Sequence, residues 1–265
     1  MSDLTLTTAD GVRLAARWWR PAPGVPEGGE AVVVVHGFCG RKDGPDVEMV
    51  AARQVAAGRR VLTFDLRGHG SSDGATTLGF RERLDVDAAV RAARAHADVV
   101  VVVGASMGGV ASIDHLAVDP GAGAVDGLAD GAVVVGTPAR WRVPRSTRGV
   151  MAVALTQTRI GRTVAARRLG TRVAARQDRG AAPVERIARV ARPVAVVHGL
   201  ADRFVSAAAA RLLFEAANEP RLLDLVPGMG HGFTATAVEP VAAAVGWIVD
   251  EVARDGRAGA PGRSV

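Results

Sequence analysis

Between residues 31 and 253, short valine-rich runs alternate with stretches of helical period, and that alternation leaves few architectures open. Ala31–His36, Arg60–Leu66, Val99–Ala105, Ala132–Gly136, Val194–His198 and Leu222–Val226 read as strands. Such nearly unbroken apolar runs suit strands covered on both faces, as in a parallel sheet. Helical pattern covers Asp46–Ala57, which stops at Gly58, and then Arg81–Ala97, Ser106–Val118, Ala207–Ala217 and Val238–Ala253. Leu4–Thr8 and Val12–Arg20, joined by Asp10-Gly11, read as an opening hairpin. Repeated strand–helix units predict an α/β fold with a mostly parallel, doubly wound sheet. Sites in such sheets gather beyond the carboxyl ends of the strands.

The rhythm breaks from about Arg140 to Ala191, a stretch that reads as helical with apolar positions at Val150, Val153, Ala154 and Ile160. The expected organisation is a core made of residues 1–139 and 192–255, a helical cap at 140–191 and a disordered tail at 256–265. Charge separates the cap from the core. Between Arg140 and Arg192 there are 14 arginines against Asp178 and Glu185, a local net of +12. The whole chain carries +6, so the remainder is acidic.

Lys42 is the single lysine among 33 basic residues and tyrosine is absent, a bias expected of a GC-rich bacterial genome rather than of a nucleic-acid partner. Aromatics at 4% and the lack of zinc-ligand or helix-turn-helix patterns also argue against nucleic acid. No apolar run is long enough to span a membrane. The N-terminus lacks the basic-then-apolar order of a secretory signal. One cysteine, Cys39, excludes an internal disulfide, and a cytoplasmic location is expected.

The chemistry-bearing motifs follow strands. Gly104-Ala105-Ser106-Met107-Gly108-Gly109 matches G-x-S-x-G between the most apolar strand and a helix. That turn exposes a serine hydroxyl, and the helix it starts aims N–H groups at a forming oxyanion. His36-Gly37-Phe38-Cys39-Gly40 can add a second such donor, the Phe38 N–H, to that of Met107. Asp65-Leu66-Arg67-Gly68-His69-Gly70-Ser71-Ser72 follows the next strand. Asp202 follows His198-Gly199, and His231 lies in Gly228-Met229-Gly230-His231-Gly232-Phe233 after the last strand.

Together these residues resemble the α/β-hydrolase superfamily, in the esterase- and lipase-like branch with HG-x, R-G-H-G-x-S, G-x-S-M-G-G and late G-x-G-H motifs, over about residues 4–255. The resemblance implies an eight-stranded, mostly parallel sheet with a short helical cap after the sixth strand. It also implies Ser106 as nucleophile, His231 as general base, Asp202 as its orienting acid, and Phe38 and Met107 as oxyanion donors. Cys39, Trp141 and Phe233 are candidate substrate contacts, although small loop residues and aromatics also serve plain packing. No metal or cofactor is implied.

Of six histidines, only His231 lies after the final strand and downstream of a candidate acid. His36, His69 and His198 sit in His-Gly turns and are expected to brace loops, as are Asp65 and Asp73. Asp130 precedes its strand and so lies at the wrong end of the sheet. Serine at the elbow, rather than aspartate, argues against dehalogenase or epoxide-hydrolase chemistry. Hydrolysis of a small-molecule ester or thioester is the leading expectation. A cofactor-free perhydrolase and a slow-turnover ligand receptor share the same residues. The basic cap stays open among recruitment of anionic substrates, docking to an anionic membrane surface, and a solvated face.

Overall fold

The valine runs do become strands buried on both faces. The computed structural model describes residues 1–22, 28–117, 127–141, 153–154, 156–176 and 180–258. Its strands are β1 (Ser2–Thr7), β2 (Arg13–Trp19), β3 (Glu30–Val35), β4 (Arg60–Phe64), β5 (Val99–Ala105), β6 (Gly131–Val135), β7 (Val194–Gly199) and β8 (Arg221–Val226). They form one eight-stranded sheet in the order β1-β2-β4-β3-β5-β6-β7-β8. β1 and β2 make the expected antiparallel hairpin, and β2 is antiparallel to β4. Every later pair is parallel.

The described helices are α1 (Pro45–Ala56), α2 (Glu82–Arg94), α3 (Met107–Leu116), α4 (Arg159–Arg168), α5 (Pro183–Ile187), α6 (Ala207–Ala216) and α7 (Val238–Ala258). Successive strand residues face opposite layers, as a two-residue period requires. Val33, Val35, Val102, Val134 and Val196 pack with residues of α2, α3, α5 and α6. Val32, Val34, Val103, Val133 and Val197 pack with residues of α1 and α7. Each fully buried valine contributes about 1.5–3 kcal/mol of apolar transfer energy, so the two layers together hold the sheet. Among the described residues no helix is long and apolar enough to cross a membrane.

Boundaries moved where local hydrogen bonding outweighed periodicity. α2 starts at Glu82, one residue after the expected Arg81, because the buried Glu82 carboxylate accepts from Thr77 N (2.7 Å), Gly79 N (2.9 Å) and the Thr76 and Thr77 hydroxyls. The final helix continues beyond Ala253 to Ala258. The rest of the expected tail lies outside the described residues.

The link from β6 to β7 carries α4 and α5. Val150, expected on an apolar helical face there, lies outside the described residues. Ile160 is described and is 80% exposed, so it belongs to no core face. α4 instead opens at Thr158, whose hydroxyl accepts from Gly161 N at 2.9 Å, and it buries Ala165 alone. Residues 172–174 then run beside 68–76: Arg172 N donates to Gly68 O (2.7 Å), Thr76 N to Arg172 O (2.8 Å) and Ala174 N to Thr76 O (2.9 Å). Those bonds lay this part of the link along the edge where the strands end.

Candidate active site

Sheet order and register bring the motif loops together. β3 and β5 are neighbours with Val35 opposite Gly104, so the loop after β3 meets the turn after β5. Ala105 pairs with Val135, Val135 with Val197, and Gly199 with Val226, which puts the ends of β6, β7 and β8 in the same row. The carboxyl edge of the sheet therefore gathers His36–Gly40, Ser106, Asp202 and His231.

Ser106 occupies a backbone conformation that serine rarely adopts, φ 51° and ψ −110°. Such strain costs on the order of 1–3 kcal/mol and persists only where the surroundings impose it. They do so here by crowding. A Cβ on Gly108 would collide with the carbonyl oxygens of Val35 and His36, and one on Gly104 would collide with Gly108 O and the Ser112 hydroxyl. These close approaches seat α3 against the ends of β3 and β5. The Ser106 amide is tied to Val135 O at 2.8 Å.

Two buried histidines hold the loop after β3. His36 Nε2 accepts from Leu66 N at 3.0 Å, and its Nδ1–H donates to Gly37 O at 2.7 Å. His69 Nε2 accepts from Cys39 N at 3.3 Å, and its Nδ1–H donates to Arg67 O at 3.1 Å. The rings meet edge to face at 5.0 Å. Both must stay neutral to make these bonds. Burial, with His69 alongside, pushes the His36 pKa down to about 3, and burial likewise lowers that of His69. Asp65 completes the brace by accepting from Lys42 N (2.7 Å) and Ser71 N (2.9 Å). Asp73 pairs with Arg13 at 2.9 Å. With that loop fixed, the Phe38 N–H makes no hydrogen bond among the described residues. Met107 N–H opens α3, where the first amides lack intrahelical partners.

The depressed His36 pKa has a testable consequence. Unfolded, the group titrates near 6.5; folded, near 3. Between those values the unfolded chain binds a proton that the folded chain refuses. Stability from this group is therefore complete above pH 6.5 and is lost as pH falls toward 3. Going from pH 6.5 to about 5 should cost about 2 kcal/mol through His36 alone. Urea unfolding of His36→Gln should show lower stability at neutral pH and a dependence over that interval flatter by this amount. An unchanged slope would show that His36 does not stay neutral in the fold.

Asp202 and His231 form the other half of the site. His231 Nδ1 lies 2.7 Å from Asp202 Oδ2; the aspartate side chain is fully buried and the imidazole 24% exposed. Asp202 Oδ1 accepts from Phe204 N (2.7 Å) and Val205 N (3.0 Å). Burial alone would raise the Asp202 pKa, but the bonds from His231 and these two amides outweigh it and hold the carboxyl below its ordinary value. Gly136, at φ 56°, leaves room for this pair: a Cβ there would stand 3.3 Å from His231 Nδ1 and 3.4 Å from Asp202 Oδ2. Gly232 packs toward Ala105, the neighbour of Ser106, with 3.9 Å between a Gly232 Cβ and that of Ala105. Ser106 Oγ itself makes no hydrogen bond among the described residues.

Two further residues lie near this pair: Phe204, which carries no motif signal, and His198, expected to brace its loop. Phe204 lays its ring 5.0 Å from that of His231. His198, buried beneath, donates from Nε2 to Val205 O at 3.1 Å, and thereby steadies the turn whose amides hold Asp202. Of the candidate substrate contacts, Cys39 is half-buried, with φ 63° and a thiol that burial pushes up in pKa. Trp141 is half-buried against Phe80, ring centroids 5.2 Å apart. Phe233 is 5% exposed and packs in the core layer with α7, which gives it a packing role.

A mostly parallel eight-stranded sheet with a strained serine turn after its fifth strand, and an Asp–His pair after its seventh and eighth, defines the α/β-hydrolase class. The chain belongs to the alpha/beta hydrolase family, whose model matches residues 32–244. No curated protein matches its sequence. Among solved structures it is similar to the Pyrococcus furiosus esterase Pf2001 at 20% identity, covering 94% of this chain and 91% of that one with a TM-score of 0.69. It is also similar to the esterase RhEst1 from Rhodococcus sp. ECU1013, at 23% identity over 96% of this chain and 99% of that one, TM-score 0.65. Est1E from Butyrivibrio proteoclasticus, solved with ferulic acid bound, is 19% identical over 94% of this chain and 100% of that one, TM-score 0.65.

Proposed function

We propose that the chain is a serine hydrolase that cleaves a carboxylic ester or thioester of a small molecule through an acyl-enzyme. The observation that carries this reading is the bond of 2.7 Å between His231 Nδ1 and the fully buried Asp202. It fixes the proton on Nδ1 and leaves Nε2 as a free base at the edge of the sheet where Ser106 is turned out.

A serine hydroxyl is a weak nucleophile at neutral pH, so His231 Nε2 takes its proton as Ser106 Oγ bonds to the substrate carbonyl. Asp202 stabilises the imidazolium so formed. The Phe38 and Met107 amides receive the carbonyl oxygen as it becomes an oxyanion; one such donor is worth about 3–4 kcal/mol of barrier. When the tetrahedral adduct collapses, the bond to the alcohol or thiol breaks and His231 returns its proton to that leaving group. Water, activated by the same imidazole, then adds to the acyl carbon and Ser106 leaves with the proton. Each step uses groups of this chain and water alone.

The esterase names of two structural neighbours, Pf2001 and RhEst1, support an ester as the bond cleaved. A panel of p-nitrophenyl esters from acetate to decanoate, with matching thioesters, tests the proposal. The expected outcome is turnover of at least one member, saturable and well above the rate in buffer. A chain that is folded by circular dichroism and turns over none of them would refute it.

A further inference from the structure

On the link between β6 and β7 the chain gathers positive charge, with no carboxylate paired to it among the described residues. Arg159, Arg162 and Arg167 of α4, together with Arg172, line a hollow of about 390 Å³ that Thr163 and Val173 also border. None of these four guanidinium groups pairs with an acid among the described residues. Arg162 donates to Gln157 O at 3.1 Å, and Arg172 to Gly74 O at 3.0 Å and to Ser72 O. Packing does not account for the arrangement either, since α4 buries only Ala165. Four like charges close together on one open face are partly screened by solvent, and an anion bound among them relieves what repulsion remains. Guanidinium forks match phosphate oxygens in a bidentate geometry that a point charge cannot offer.

One border of the hollow connects toward the serine turn through residues 68–76. Arg172 N donates to Gly68 O at 2.7 Å, Val173 is bridged to Thr76, and the Thr76 hydroxyl lies 3.5 Å from Met107 Sδ. One extended segment, residues 68–76, thus lies between Arg172–Val173 and the Met107 side chain.

We infer that this hollow is a phosphate-binding site, which holds the anionic handle of a molecule whose ester or thioester reaches Ser106. The handle's link to catalysis rests on the serine-hydrolase reading; the phosphate site itself does not. Two sources share the chemistry, a water-soluble phosphorylated ester or thioester and a phospholipid headgroup. Ile160 and Val164, exposed on α4 among the arginines, give the second source an apolar contact.

Binding without turnover tests it. The full chain carrying Ser106→Ala is titrated calorimetrically with inorganic pyrophosphate at low ionic strength, and saturable binding is expected. Adding Arg159→Gln with Arg167→Gln should weaken that binding roughly tenfold, and adding Arg159→Glu with Arg167→Glu should remove it. Both side chains are exposed, and circular dichroism checks that each variant folds. Displacement of pyrophosphate by coenzyme A would assign a soluble source. Sedimentation with phosphatidylglycerol vesicles, but not with phosphatidylcholine, would assign a headgroup. Absence of saturable pyrophosphate binding, or equal binding with and without the arginine changes, would overturn the proposal. Turnover of neutral esters by the unaltered chain decides the hydrolase reading separately, so the two failures cannot be confused.

Discussion

Replacing Ser106 with alanine should reduce hydrolysis of p-nitrophenyl acetate to near the background rate, a loss in kcat of roughly 10⁵–10⁶. The change removes one oxygen and leaves the turn in place. The turn is imposed by the close approach of Gly104 and Gly108 to their neighbours and by the 2.8 Å bond from Ser106 N to Val135 O, none of which involves the hydroxyl. The urea midpoint should therefore stay close to that of the parent. Residual turnover from the oxyanion amides alone is compatible with this account; retention of the parental rate is not, because the account puts the acyl group on the Ser106 oxygen.

Asp202→Asn should lower kcat by about 10⁴ with little change in KM. Asp202 accepts three hydrogen bonds, two from the Phe204 and Val205 amides and one from His231 Nδ1–H. An asparagine that turns its carbonyl to the two amides must point its NH₂ group at Nδ1. The imidazole can satisfy that donor only by moving its proton to Nε2, where a base is needed. The ring stays in place and loses its function. Stopped-flow kinetics on an activated ester measures the effect, and a loss below about tenfold would show that the 2.7 Å contact does not set the tautomer.

Much of this was readable from the chain because the governing signals are local and strong. Val99–Ala105 is a strand with the very bounds that its apolar run indicates, since both faces are buried and nothing competes with the run. Phe38, Ser106, Asp202 and His231 could be assigned to one edge from the sequence because parallel strands put every following loop there. What periodicity could not convey is hydrogen bonding to the main chain. His36 and His69 read as loop braces, but their particular partners, Leu66 N and Cys39 N, emerge only in three dimensions. The same holds for Glu82, which shifts the start of α2, and for His198 beneath the Asp202 turn. Phe204 was invisible because a single aromatic two residues past an aspartate has no pattern. The link between β6 and β7 was hardest to read for a different reason. α4 buries one alanine, so Ile160 and Val164 carry no inward face for a periodicity argument to find.

Labelling with a fluorophosphonate tests the central claim most directly, because the probe bonds only to a serine whose hydroxyl is activated by a base. Intact-mass and peptide analysis of the full chain should find one adduct per chain, carried by Ser106 and absent from the His231→Ala protein. An adduct on another residue, no adduct on a folded chain, or equal labelling with and without His231 would contradict the assignment.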